Sequence, residues 1–411
     1  MEKVSRYILV IVAIIILAIF LPALYWMAFE QPIRKPFVLY SCIDDDFFII
    51  RQGTPTIFVD TRGNSYTREK YEQKLPMMHF QQLMISGSMP DTINGIAMDM
   101  HDISRARSFT RYKPEDMFSP KPKLFPMFES KSGRASIEMP DDFFRITWRI
   151  EFIDAATNKI IEEKSQMFSA ALYQNGFIFP ANRIEGLPTT KKSCDEGYLI
   201  VDTSNQLFHV KMIKGKPYVR KIDVPNGLRF KHIMCVDFKD KKYYAYLFSE
   251  NNEIFILTQD DYELIKFPVD VFNADNSELK IYGDLFNYNL TIEKAGHTDV
   301  VILDKEYKKV AFFNESWPVL SERIEGEIFG FLFPGQLSMD DPNSKFINFY
   351  WNGSGKMNWI FLNIVLIATQ FAIIRRRKAK MNNQIIDLFV VALTGIYGFI
   401  AVNLFQNKFF E

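Results

Sequence analysis

The chain has 411 residues, 48% of them hydrophobic and 24% charged, with 49 basic and 49 acidic side chains. That length excludes a single small domain and leaves room for one core of about 300 residues beside membrane segments. A formal net charge of zero argues against nucleic acid or an acidic substrate as partner, and 39 Phe with 18 Tyr lean the composition towards strands and membrane interfaces.

Residues Tyr7 to Ala28 carry no charge over 22 positions, a helix of roughly 33 Å, enough to cross a bilayer. Lys3 and Arg6 precede the run, and Tyr25 and Trp26 stand where an interfacial aromatic belt belongs. The run exceeds the apolar core of a cleaved signal, and no small-x-small site follows before Glu30. The spacing predicts a transmembrane helix over residues 1–29.

Residues 30–356 contain no comparable run. They repeat a phrase instead: a β-rich run, a polar turn, a second β-rich run. The turns centre on Gly63, Thr157, Ser204, Asn251, Gly296 and Asn343, with gaps of 94, 47, 47, 45 and 47. Asn, Gly and Ser between β-branched and aromatic runs mark hairpins, and a period near 47 fits one four-stranded blade per repeat. Lys74 to Lys131 does not read as strand; it holds a short apolar helix and a proline-rich loop. The expectation is a six- or seven-bladed β-propeller with a short helical insertion, the alternative a non-propeller all-β domain.

Chemical motifs in this segment are sparse. Cys42, Cys194 and Cys235 form no C-x-x-C pair, and no HExxH, GxSxG or EF-hand loop is present. Asp44, Asp45 and Asp46 lack the alternation that aims carboxylates at one calcium ion. Gly353-Ser354-Gly355-Lys356 imitates the end of a P-loop without its first glycine and reads as a linker. Met77, Met78, His79, Met84, Met89, Met98, Met100 and His101 fall within 25 residues, a donor set that suits Cu(I) but also the apolar face of a helix. The packing reading is preferred, so no metal, cofactor or catalytic residue is expected.

Two further apolar runs close the sequence. Met357 to Ile374 is uncharged over 18 residues, and Ile385 to Phe405 spans 21 with Asp387 alone charged. Between them, Arg375, Arg376, Arg377, Lys378 and Lys380 place five cations in six positions, a cytoplasmic marker that agrees with Lys3 and Arg6. Asn363 and Gln370 share a helix face, and Thr394, Gly395 and Gly398 form a small-residue patch; in lipid such groups mark helix contacts. The expected topology has a cytoplasmic N-terminus, three spans, an extracytoplasmic domain over 30–356, a helical hairpin over 357–405 and an outer tail over 406–411. The Lys-, Phe- and Asn-rich composition reads as bacterial, which puts the chain in an inner membrane as a multi-pass protein with a periplasmic domain.

The phrases LPMMHFQQLMISGSMPDTINGI (75–96) and SCDEGYLIVDTSNQLFHVKM (193–212), with spans at both ends, resemble a family of uncharacterised bacterial membrane proteins known only as a domain of unknown function. The resemblance implies association with ABC-transporter components and brings no assigned catalytic residues. The expected function is a non-enzymatic accessory or scaffold subunit of a transport or envelope complex, contacting lipid and a membrane-protein partner and binding through its outer β domain. A sensor, or an envelope enzyme with a site in a propeller channel, are the alternatives.

Overall fold

A computed structural model describes residues 2–238, 240–355, 357–377 and 381–407; Lys378, Lys380 and Lys408 lie outside the described residues, as does the side chain of Lys3. The chain divides into two compact units, one of residues 1–35, 295–297 and 316–411, the other of residues 36–294 and 298–315.

Among the described residues the larger unit is mainly antiparallel β, with five sheets of three to five strands and a small two-stranded one, Thr92–Ile93 with Ile96–Ala97. The first holds Phe37–Ser41, Asp46–Arg51, Ile57–Asp60 and Ser65–Tyr66; the second holds Phe125–Pro126, Asp142–Ile146 and Ile150–Asp154. The third holds Ala181–Gly186, Tyr198–Asp202, Leu207–Ile213 and Lys216–Ile222, and the fourth Phe230–Cys235, Tyr243–Ser249, Ile254–Thr258 and Leu264–Lys266. The fifth holds Glu278–Gly283, Tyr288–Lys294, His297–Leu303 and Lys309–Ser316, and Ser108–Tyr112 pairs on its edge with Glu278–Gly283.

Side chains alternate between the two faces of a strand, and here each face meets a different neighbour. Tyr198 and Ile200 pack with Phe144 and Phe152 of the second sheet, while Leu199 and Val201 pack with Ala245 and Leu247 of the fourth. Tyr246 and Phe248 turn the other way, onto Leu279 and Leu290 of the fifth. Val300 and Ile302 of the fifth then pack on Val38, Tyr40 and Phe47 of the first. The sheets are thus stacked in series: second, third, fourth, fifth, first. Among the described residues no buried apolar cluster joins the first sheet to the second. With both faces covered, Tyr243–Ser249 is buried along its whole length, which explains the run YYAYLFS where a half-exposed strand would alternate.

One turn recurs where the sequence phrase repeats. At Asp60, Asp202, Ser249 and Asp304 the side-chain oxygen accepts from the backbone N–H two and four residues on. The residue three on, Gly63, Asn205, Asn252 or Tyr307, takes a positive φ. Asp and Ser provide the local acceptor, and Gly or Asn tolerates the left-handed backbone.

Two of the six repeated phrases do not form hairpins of the β unit. The phrase at Thr157 runs from strand Ile150–Asp154 into helix Glu162–Gln174, whose Phe168 and Leu172 fill the core of the second and third sheets. The phrase at Asn343 belongs to the other unit, as a hairpin of Gly335–Ser338 with Tyr350–Gly353. The insertion does hold short helices: Arg68–Lys74, Pro76–Ile85, Met100–Ala106 and Pro114–Met117.

The smaller unit is helical. Among the described residues two helices are long and apolar enough to cross a membrane: Val4–Phe29, within helix Glu2–Phe29, and Trp359–Arg376. The third expected span is not one helix. It breaks at Gly395 (φ 61°, ψ −132°) into Met381–Thr394 and Ile396–Leu404. A residue with a side chain resists that backbone region, so the glycine sets the break. The two pieces fold back on each other. Val391 and Ala401 share a cluster with Val10 and Ala13, and Gly395 lies near Trp359.

Candidate functional site

In the helical unit the polar residues point inward. Arg6 is 6% exposed and forks onto Asp387, itself 2% exposed, with Nη1–Oδ1 2.9 Å and Nη2–Oδ2 2.7 Å. Its Nε donates to the Phe405 carbonyl at 2.8 Å. Residues near both ends of the third apolar run therefore meet one side chain. Arg6, expected as a topology determinant, also has a packing role: its buried guanidinium clamps three helices. Arg375, Arg376 and Arg377 are exposed.

The predicted helix contacts mostly serve as such. Asn363 Nδ2 donates to the Ala392 carbonyl at 2.8 Å, and Asn403 Nδ2 donates to Gln370 Oε1 at 2.6 Å. Asn363 and Gln370 are both buried. Thr394 Oγ1 donates back to the Val390 carbonyl of its own helix at 2.7 Å. A Cβ on Gly398 would collide with Thr394 Oγ1 and the Val390 carbonyl, so this glycine lets the two half-helices close up. The patch of Thr394, Gly395 and Gly398 lies at the break, with Gly395 close to Trp359 of the preceding span.

The Met and His of the insertion do not converge on one ion. Met77, Met84, Met89 and Met98 pack with Cys42, Phe80 and Ile93 in an apolar cluster. His79 lies edge-on to Tyr71, 5.9 Å between centroids, and His101 is exposed beside Asp99 and Asp102. Packing accounts for Met77, Met84, Met89 and Met98, while Met100 is exposed.

The β unit holds a large cavity that the sequence did not announce, of about 840 Å³. Its floor is formed by the first strands of the third and fourth sheets. Each carries a β-bulge at the corresponding place: the register skips Asn182 opposite Asp202 and Val201, and skips Lys231 opposite Ser249 and Phe248. A bulge re-aims the side chains beside it. Here Asn182, Arg183, Lys231 and His232 all line the cavity. Arg183 also donates to the carbonyl of Lys231, tying the two bulges together.

The lining is basic, with Lys121, Lys123, Arg145, Arg183 and Lys231 against one carboxylate, Glu185. Three of these cations are neutralised: Lys121 pairs with Glu185, Arg145 with Glu151 at 2.8 Å, and Lys231 with Asp275 at 2.8 Å. Among the described residues Arg183 and Lys123 form no ion pair, although Glu185 lies close enough to Arg183 to act on its charge. Burial draws Arg183 below the usual guanidinium range and pushes the Glu185 carboxyl up. His232 is 5% exposed, its ring stacked on Phe248 at 5.7 Å, and its Nδ1 is buried without a hydrogen bond. Burial pushes this imidazole down to about 3, so it is neutral at pH 7. Leu124, Phe125, Ile146 and Ile184 supply apolar wall. The one signal that pointed here is spacing: Arg183 and His232 stand 49 positions apart, close to the repeat period.

A stack of antiparallel sheets with a charged cavity, in one chain with a unit of apolar helices, defines a mainly β protein with membrane-type helices. The chain belongs to the family described as a domain of unknown function, DUF4857, matched over residues 37–303. No curated protein matches it in sequence. Among solved structures it is similar to the β-propeller domain of Cps50 (Swd1) from Myceliophteria thermophila, at 8% identity over 70% of this chain and 88% of that one, TM-score 0.24. It is also similar to the dihydro-heme d1 dehydrogenase NirN in complex with DHE, at 8% identity over 56% of this chain and 57% of that one, TM-score 0.23. An exported protein from Bacteroides fragilis follows, at 9% identity over 59% of this chain and 82% of that one, TM-score 0.16.

Proposed function

We propose that the protein is a membrane-anchored, non-enzymatic binding subunit of a transport (ABC-type) or envelope complex, presenting its β unit outside the cytoplasmic membrane of a bacterium. The observation that carries this is the inverted polarity of the helical unit. Arg6, Asn363, Gln370, Gln384 and Asp387 are buried, while Ile8, Ile11, Ile364, Val365 and Phe389 are 55–63% exposed. Water would favour the opposite arrangement; a bilayer favours this one, because intramembrane polar groups turn towards each other. Two crossings, Val4–Phe29 and Trp359–Arg376, with Arg375–Arg377 on the cytoplasmic side, put the β unit outside. The broken run over 381–404 then enters and returns, and residues 406–407 share the Arg6 side.

The β unit is read as an incomplete propeller of five blades. Serial stacking supports this, as does a cavity on first strands, the place of the axis in a closed ring. The accessory role rests on the resemblance to membrane proteins that accompany ABC-transporter components. Affinity purification in mild detergent tests it. Membrane-transport subunits should co-purify in fixed proportion; a protein recovered alone with hydrolytic activity in its β unit overturns the reading.

A further inference from the structure

We infer that the cavity over the two bulged strands is a binding site for an amphiphilic anion, a phosphate or carboxylate head carried on an apolar body. The inference deepens the binding role proposed above and names its ligand class. Four observations converge. Arg183 spends one N–H on a carbonyl and, among the described residues, forms no ion pair, with Glu185 acting on it only at longer range, so its remaining donors are available to a planar or tetrahedral oxyanion. Lys123 adds a second unneutralised cation at the rim. His232 brings a buried ring nitrogen with no partner, and a buried polar atom without one is costly unless a ligand or water completes it. Leu124, Phe125, Ile146 and Ile184 line the remainder, and about 840 Å³ is the size that encloses a small organic molecule rather than a bare ion.

The bulges make this a built site and not a chance gap. The same irregularity occurs at the same place in two successive sheets, and the residues that follow it are Arg183 and His232. Had the strands run regularly, each of these side chains would keep the alternation of its neighbours. One bulged backbone also anchors the guanidinium of the other strand, which fixes the direction of its free N–H groups.

The head group can belong to a lipid or to a soluble acid, and the test separates the two. The full chain, purified into lipid nanodiscs, is titrated calorimetrically with 1-naphthyl phosphate, 1-naphthaleneacetate and 1-naphthol. The anions should bind at least tenfold more tightly than the neutral naphthol. Arg183→Gln should weaken the anions at least tenfold and leave naphthol unchanged; Lys123→Gln, at an exposed position, should weaken them about threefold without touching the fold. An anionic lipid in the organic extract of the purified protein assigns a membrane source, and an acid released by dialysis assigns a soluble one. Equal affinity for phosphate and naphthol, or anion binding untouched by both substitutions, overturns the proposal. Recovery of partner subunits is read separately in the unsubstituted chain. Partners that persist while anion binding fails remove the ligand class and not the accessory role; bound anion with no partner does the reverse.

Discussion

His232 and His209 are both buried and both neutral, the first pushed by burial down to about 3 and the second to about 4. An imidazole in the unfolded chain titrates near 6.5. Below that pH the unfolded chain takes up protons that the folded chain refuses, so stability falls as pH drops from about 6.5 towards 3 and is insensitive to these groups above 6.5. The loss is at most about 1.4 kcal/mol per pH unit for each histidine. Melting of the full chain in detergent at pH 7, 5.5 and 4.5 should show the decline, and His232→Phe, which also removes the unpartnered nitrogen, should flatten it; an unchanged slope contradicts the assignment. Arg6 offers a second residue-level test. Arg6→Gln leaves Asp387 buried and unpaired, which costs about 3–5 kcal/mol, whereas Arg6→Met with Asp387→Leu removes both charges and should recover most of it. A double variant that melts as low as the single one would show that the pair does more than satisfy itself.

At the scale of the element, the turn that closes several hairpins was half visible in the sequence. The phrases D-T-R-G-N, D-T-S-N-Q and S-E-N-N-E announce an acceptor, then a residue tolerant of positive φ, and those hairpins form. The turn at Asp304 escaped notice because Tyr307 occupies the left-handed position, a residue that turn rules do not nominate. Thr157 misled for the opposite reason. Its polar turn is present, but Glu162 to Gln174 continues with helix formers and a buried stripe at Ser165, Phe168 and Leu172. The break at Gly395 was hidden as well, because hydropathy averages over a glycine that only the φ angle reveals. The cavity was hidden because bulges leave no composition trace. Asp202 allows the turn to be weighed: it is fully buried, and its carboxylate accepts from the N–H groups of Ser204, Gln206 and Ile178. Asp202→Ala should cost about 2–3 kcal/mol by leaving those donors unmatched. A loss below about 0.5 kcal/mol in chemical denaturation would mean water replaces the carboxylate.

At the scale of the whole molecule, the number of crossings decides which side each segment occupies. A third crossing would carry residues 406–407 outside; the meeting of Arg6 with both Asp387 and the Phe405 carbonyl supports their return to the N-terminal side. A single cysteine at position 406, in a chain with Cys42, Cys194 and Cys235 replaced by serine, should resist membrane-impermeant maleimide in intact cells. One at Ser204, in the β unit, should react. Labelling at 406 equal to that at 204 restores three crossings. The order of stacking also has a consequence for biogenesis. On the topology proposed above, Val38 and Tyr40 would cross the membrane about 260 residues ahead of Val300 and Ile302, the side chains that cover them. For that interval the first sheet would be an uncapped apolar surface, a state prone to aggregation.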